Sequence, residues 1–308
     1  MTDRENKLPI KCLSITGGGH NGFSSMGILH KTYDKLWNYD SIESIYSISS
    51  GTFVAVTIVL QLNVEHAVEY VLNRPFEFIT FDSSKVISLF KENGMYGREI
   101  FIEFFKPLFA SADLDINITL KNLYEHSNIH LNIYTSEINA YESVILSHET
   151  FPDLPVIDAV IMSASIPIIF KPICINDKYY FDGGFFKGDP YTDTLKTYDS
   201  CNILSISERY NIDKNFCNER KTLTTFSNFF SNLLSNTMAY FNFNNAIKFE
   251  ETPTTFIMES QPVNPQDLYK LKEQTRRKEL YDYGVSVYEE KMRSNEALTT
   301  ESSENETL

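Results

Sequence analysis

The chain has 308 residues, of which 42% are hydrophobic and 14% aromatic, enough apolar material for one large α/β domain. Its 41 acidic residues against 27 basic ones give a net charge of −14, which argues against a broad nucleic-acid surface and against general attraction to anionic membranes. A neutral lipid contact through an apolar rim stays open. The opening MTDRENKLPIK lacks the apolar run of a secretory signal, and the longest apolar stretch, residues 53–62, is too short to span a bilayer. Cytoplasmic placement is the default expectation, with peripheral membrane contact allowed. Four scattered cysteines without metal-like spacing suit a reducing compartment.

Residues 10–16, IKCLSIT, read as a buried strand, followed by a GGGHNG turn and a helix over 23–37 with Met26, Leu29, Tyr33 and Leu36 or Trp37 on its apolar side. IESIYSI at 42–48 reads as a second strand, and the nearly apolar GTFVAVTIVLQL as the buried helix after it. Asn63 is placed to cap the next helix, which Pro75 closes. Residues 83–110 look helical around an interruption at 92–97, and 115–127 contain a short helix. Segments 130–138 and 141–147 fit a strand hairpin, and PDLPVIDAVIMSAS turns into a helix. KYYFDGG is a strand ending in a glycine turn, and 200–208 is another strand. Residues 224–243 have apolar side chains at helical spacing, fitting either a helix on the sheet or a mobile cover near a lipid site. The strand–turn–helix rhythm predicts an α/β fold with a mainly parallel sheet between helical layers. A single domain is expected over 8–293, with an acidic, disordered tail over 294–308.

Three segments carry chemistry. Ser49, in SISSG, sits where a strand turns sharply into a helix, and Gly51 lets that helix pass close behind. Gly17, Gly18 and Gly19 follow a strand and precede a helix, so their amides can surround a developing negative oxygen. Asp182 ends the KYYF strand, where Gly183 and Gly184 permit a tight turn. Serine, carboxylate and anion cradle together suit acyl transfer. Competing readings remain. Gly17, Gly19 and Gly22 match a dinucleotide spacing with Glu43 as ribose acid, and His20 inside the glycine turn is an alternative base.

Taken in order, TGGGHNG, SISSG, the FPDLPVIDAVIMSASIPIIFKPI stretch and FDGGFFKGDP resemble the blocks of patatin-like phospholipases over roughly residues 10–208. The resemblance implies a three-layer α/β/α sandwich. It also implies a Ser49–Asp182 dyad, an oxyanion hole from Gly17, Gly18 and Gly19, a lipid or membrane-surface ester as substrate, and neither cofactor nor metal. Three positions depart from the pattern: Asn21 replaces a basic residue, Ser47 replaces the first elbow glycine, and Gly188–Asp189 stands where asparagines often precede proline. These departures motivate a second expectation, a catalytically impaired relative acting in lipid binding or as an interaction protein.

Overall fold

The computed structural model describes residues 9–77, 83–210, 229, 233, 252–260 and 269–305. In chain order, the first half carries β1 (Cys12–Ile15), α1 (Gly22–Thr32), β2 (Ser44–Ile48), α2 (Ser50–Val59), α3 (Val64–Asn73), α4 (Ser83–Glu92), β3 (Gly94–Tyr96), α5 (Arg98–Ser111) and α6 (Leu120–Ser127). The second half carries β4 (His130–Glu137), β5 (Glu142–Leu146), α7 (Val156–Ala164), β6 (Ile168–Phe170), β7 (Ile173–Ile175), β8 (Lys178–Asp182), α8 (Tyr191–Thr194), β9 (Ile203–Tyr210), β10 (Thr255–Ser260) and α9 (Gln274–Asn305).

The main sheet has the order β10-β9-β1-β2-β4-β8-β7, with β5 also on β4. From β10 to β4 every pairing is parallel, and the pairings of β5, β8 and β7 are antiparallel. Parallel strands must be covered on both faces, and β1 is fully buried accordingly. α2 follows the same logic. Eight of its ten residues are buried, because it is enclosed between sheet and neighbouring helices rather than lying on the surface. This is the α/β architecture with a mainly parallel sheet that the sequence predicts.

The register around β4 decides where the site falls. Ile133 and Tyr134 pair with both β2 and β5, while Thr135 to Glu137 pair with both β5 and β8. A strand has only two edges. β2 and β8 therefore share the edge opposite β5 and meet end to end. Ile48, the last residue of β2, lies opposite Tyr134, and Asp182, the last of β8, lies opposite Thr135. The residue after Ile48 is Ser49, so the topology alone brings Ser49 and Asp182 to one point.

Two expectations need correction, the extent of the first helix and the disordered tail. The first helix stops at Thr32, not Trp37, because Tyr33 is extended and Asp34 is left-handed with φ 56°. Trp37 folds back instead and donates its indole N–H to the Thr32 hydroxyl at 2.9 Å, between the rings of Tyr33 and Tyr39. The short helix expected within 115–127 is present as Leu120–Ser127, where Thr119 caps it by accepting from the Asn122 N–H. Strands β6 and β7, three residues each, are too short to leave a periodic signal. Last, α9 continues through Asn305 where composition predicted a disordered tail. Adding a residue to an existing helix costs far less than nucleating one, and α9 is anchored well before residue 294. The Asn63 cap is present, its side chain accepting from the His66 N–H at 3.0 Å. Most of segment 224–243 lies outside the described residues; of its members, Phe229 and Leu233 are helical and exposed.

Two contacts that no local pattern announces hold α9 in place. Arg277, 1% exposed, gives its guanidinium to the carbonyls of Leu72, Leu271, Lys272 and Arg74 and lies over the Phe76 ring. Gly27 of α1 and Gly284 of α9 form a close helix crossing, where a side chain on Gly27 would strike the Tyr281 carbonyl and one on Gly284 the Ser24 carbonyl. Ser24 also donates to the Leu280 carbonyl at 2.8 Å. Because backbone cannot move aside as a flexible side chain can, Gly284→Ala is expected to destabilise the protein by about 2–3 kcal/mol. A thermal melt of this variant against wild type reads the loss, and an unchanged midpoint would refute the close crossing.

Candidate active site

Ser49 follows β2 directly and stands at the N-terminus of α2, with φ 51° and ψ −123°. This sparsely populated backbone conformation costs on the order of 1–3 kcal/mol and lifts the side chain out of the strand-to-helix turn. The turn is possible because of its neighbours. A Cβ on Gly51 would lie 2.5 Å from the Thr16 carbonyl oxygen and 2.6 Å from that of Ile15, so glycine is needed for α2 to pass β1. A hydroxyl network holds the rest. The Ser163 hydroxyl accepts from the Ser49 N–H at 2.9 Å and donates to the Tyr134 carbonyl at 2.7 Å. Thr52 sits 3.0 Å from that Ser163 oxygen and donates to the Ser47 hydroxyl at 3.2 Å. Ser47, fully buried, thus has a hydrogen-bonding role at the elbow position where glycine was expected.

The Ser49 hydroxyl donates to Asp182 Oδ2 at 2.5 Å, across 133 residues of chain. Asp182 is 1% exposed. Its Oδ1 accepts from the Gly184 N–H at 2.8 Å, its own N–H donates to the Ser165 carbonyl at 3.1 Å, and its carbonyl accepts from the Ser136 hydroxyl at 2.9 Å. Gly183 is required because a side chain there would overlap the Tyr134 carbonyl. Burial pushes the Asp182 carboxyl up to about 6, against the hydrogen bonds from Ser49 and Gly184, which pull it down. The Ser49 hydroxyl thus faces a carboxylate.

The glycine loop runs along the other side of Ser49. A Cβ on Gly17 would come within 2.7 Å of Ser49 Cβ. Gly18 and Gly19 both have positive φ, 141° and 58°, a conformation other residues rarely adopt. Behind the loop lies Glu208 of β9. A side chain on Gly18 would overlap its carboxylate, and Asn21 donates its side-chain amide to Glu208 Oε1 at 2.7 Å. The neutral Asn21 therefore ties the loop to β9 where a basic residue was expected. Neither Ser163 nor Glu208 was singled out from sequence. Asp189, the third departure, accepts from the Tyr191 N–H at 2.7 Å. The protein packed around its carboxyl pushes that group up to about 6 as well, although Ser207, Tyr191 and Lys187 pull it back.

All these parts lie at the carboxyl ends of β1, β2 and β9 and beside the end of β8, where open α/β sheets gather their ligands. Such a fold, with a serine on a strained strand-to-helix turn, defines an α/β protein of the nucleophile-elbow class. Within that class, the model of the family described as patatin-like phospholipase matches residues 13–195, more than half of the chain. The chain belongs to the patatin-like phospholipase family. It is 25% identical over 194 residues to "Probable lipid hydrolase 463L" of Invertebrate iridescent virus 6, covering 62% of this chain and 66% of that one. It is 24% identical over 184 residues to an uncharacterised protein of Acanthamoeba polyphaga mimivirus, covering 59% and 61%. The match thus spans just under two thirds of each of these curated relatives. Among solved structures, VipD from Legionella pneumophila superposes with a TM-score of 0.48 at 12% identity, covering 89% of this chain and 67% of that one. Human GIVD cytosolic phospholipase A2 does so with 0.43 at 14% identity, covering 97% and 60%. Among the described residues, no helix is long and apolar enough to cross a membrane.

Proposed function

We propose that the protein is a lipid acyl hydrolase, phospholipase A-like, that cleaves carboxylic esters through a Ser49–Asp182 dyad. The observation that supports this most directly is the 2.5 Å hydrogen bond from the Ser49 hydroxyl to the buried Asp182 carboxylate. Ser49 Oγ attacks the acyl carbonyl while its proton passes to Asp182. The negative oxygen so formed accepts from backbone N–H groups of Gly17, Gly18 and Gly19, aided by the positive end of α2. The tetrahedral intermediate then expels an alcohol or lysolipid, which takes the proton from Asp182. Water attacks the acyl-serine and gives a proton to Asp182, which returns it to the departing Ser49 oxygen as the carboxylic acid is released. Burial of Asp182 fits this role, because a carboxylate near 6 is a stronger base than an ordinary aspartate and is still ionised at neutral pH. The catalytic unit is a single one, reaching from about residue 8 into α9.

A second reading, a relative that binds lipid without turning it over, draws on Glu208, whose negative charge lies behind the glycine loop. Fatty-acid release from mixed phospholipid vesicles between pH 4.5 and 8 tests the first reading. The base must be ionised, so kcat/KM is expected to fall about tenfold per pH unit below about 6. Asp189 titrates in the same range, and Asp189→Asn is expected to keep that acid limb. A limb that vanishes in Asp189→Asn would remove Asp182 from the role. Faster turnover of a neutral glyceride or an acyl thioester would change the substrate class. Absence of release from all three would favour the binding reading.

A further inference from the structure

At the other end of β4 from the Ser49–Asp182 pair lies a second cluster that the hydrolytic scheme does not use. His130 begins β4 and pairs with Ser44 at the start of β2, so about five strand residues, roughly 15 Å, separate it from Ser49 along the sheet. β5 runs antiparallel with Leu146 opposite Ile133, so continuing that register two residues beyond the strand brings His148 back beside the start of β4. The two imidazole rings have centroids 4.8 Å apart. Tyr124 of α6 stacks face to face on His148 at 3.8 Å and contacts His130 at 4.7 Å. Glu149 completes the group, with its carboxylate 3.9 Å from His148 Nε2.

One donor atom from each of His130, His148 and Glu149 lies within 4.8 Å of the other two. His148 Nδ1 is shielded from solvent and has no hydrogen-bond partner among the described residues. A shielded, unsatisfied ring nitrogen is costly unless something satisfies it. Tyr124 fixes the plane of the His148 ring. The turn after β5 fixes its backbone, since the Ser147 hydroxyl accepts from the N–H groups of Glu149 and Thr150. We propose that His130, His148 and Glu149 bind one divalent transition-metal ion of the zinc type. Two imidazoles and a carboxylate suit such an ion and leave a coordination position for water. Donors bonded tetrahedrally to zinc at 2.0–2.1 Å lie about 3.4 Å apart. The widest separation must therefore close by up to about 1.4 Å, and rotation of the exposed Glu149 side chain can bring its carboxylate towards the two imidazoles. Bound there, the ion staples the start of β4 to the turn that leads towards α7. It takes no part in hydrolysis at Ser49.

The test uses full-length protein without a histidine tag, treated with chelator and dialysed. Zinc chloride titrated by calorimetry is expected to bind at one ion per chain and to raise the melting midpoint by several degrees. Magnesium and calcium, which prefer all-oxygen ligand sets, are expected to do neither. Glu149→Gln, at an exposed position, is expected to weaken zinc at least tenfold with the apo protein still folded, and His130→Asn with Glu149→Gln to abolish the shift. No saturable binding would overturn the proposal. So would zinc binding that persists undiminished in the double variant, since other side chains, such as the exposed thiols of Cys174 and Cys201, would then account for it. Both readouts are independent of ester turnover, so they stand or fall separately from the hydrolase reading.

Discussion

Ser49→Ala is expected to lower fatty-acid release from phospholipid vesicles by at least about 10⁴-fold while leaving the fold intact. The hydroxyl removed is the one that donates to Asp182. Neither Ser47 nor Ser163 takes its place, because Ser47 is buried in the network with Thr52 and Ser163 is engaged by the Ser49 N–H and the Tyr134 carbonyl. Stability should change little, since the left-handed backbone at position 49 is kept and only one hydrogen bond is lost. Side-by-side release assays and circular dichroism on purified wild type and variant read both effects. A serine-directed phosphonate adds an independent measure: wild type is labelled on Ser49 and the variant is not. Normal release by folded Ser49→Ala would end the dyad assignment. Labelling of wild type without any release would place the defect after nucleophile activation.

Asp182→Asn should produce two large effects of opposite sense. Turnover should fall by about 10⁴-fold, because the amide cannot take the serine proton. Stability at neutral pH should rise. Burial raises the folded carboxyl from an ordinary 3.8 to about 6, so between those values the folded state holds a proton that the unfolded chain has released. Wild type is then progressively destabilised as pH climbs from about 4 through 6. Above 6 the full cost of the buried charge, about 3 kcal/mol, applies. The uncharged asparagine escapes it. Denaturant titrations should show variant and wild type nearly alike at pH 4 and the variant ahead by up to that amount at pH 7.5. A difference independent of pH would mean that the Asp182 carboxyl is not held against its charge. Together the two effects express a site that is costly to fold because it is useful for chemistry.

The parts of the site that could be read in the sequence were those encoded by short-range constraints. Gly51 and Gly183 are glycines because a backbone passes behind each, and such positions announce themselves beside a strand end. The serine and the aspartate stood out for the same reason, and the end-to-end meeting of β2 and β8 brings the two together. What stayed hidden depends on register. Ser163 is one of several serines in a small-residue turn, and only the packing of α7 on β4 shows that its hydroxyl holds the Ser49 amide. Glu208 looks like an ordinary strand carboxylate until β9 is placed beside β1. His130 and His148 are 18 positions apart in sequence and carry no ligand-like spacing, since a hairpin rather than a helix turn joins them. The same limit applies to Trp37, whose apolar character was legible but whose route into the core, by a reversed turn rather than a longer helix, was not.

The crossing of Gly27 with Gly284 has a consequence for the order of events during synthesis. α1 begins directly after the glycine loop, and the surface against which it packs is α9. A nascent chain that has not yet reached residue 284 therefore carries Ser49, Asp182 and all three loop glycines but lacks the helix that backs α1. Since domains assemble as units while they emerge from the ribosome, the proposed hydrolytic activity is expected only once the late helix has docked.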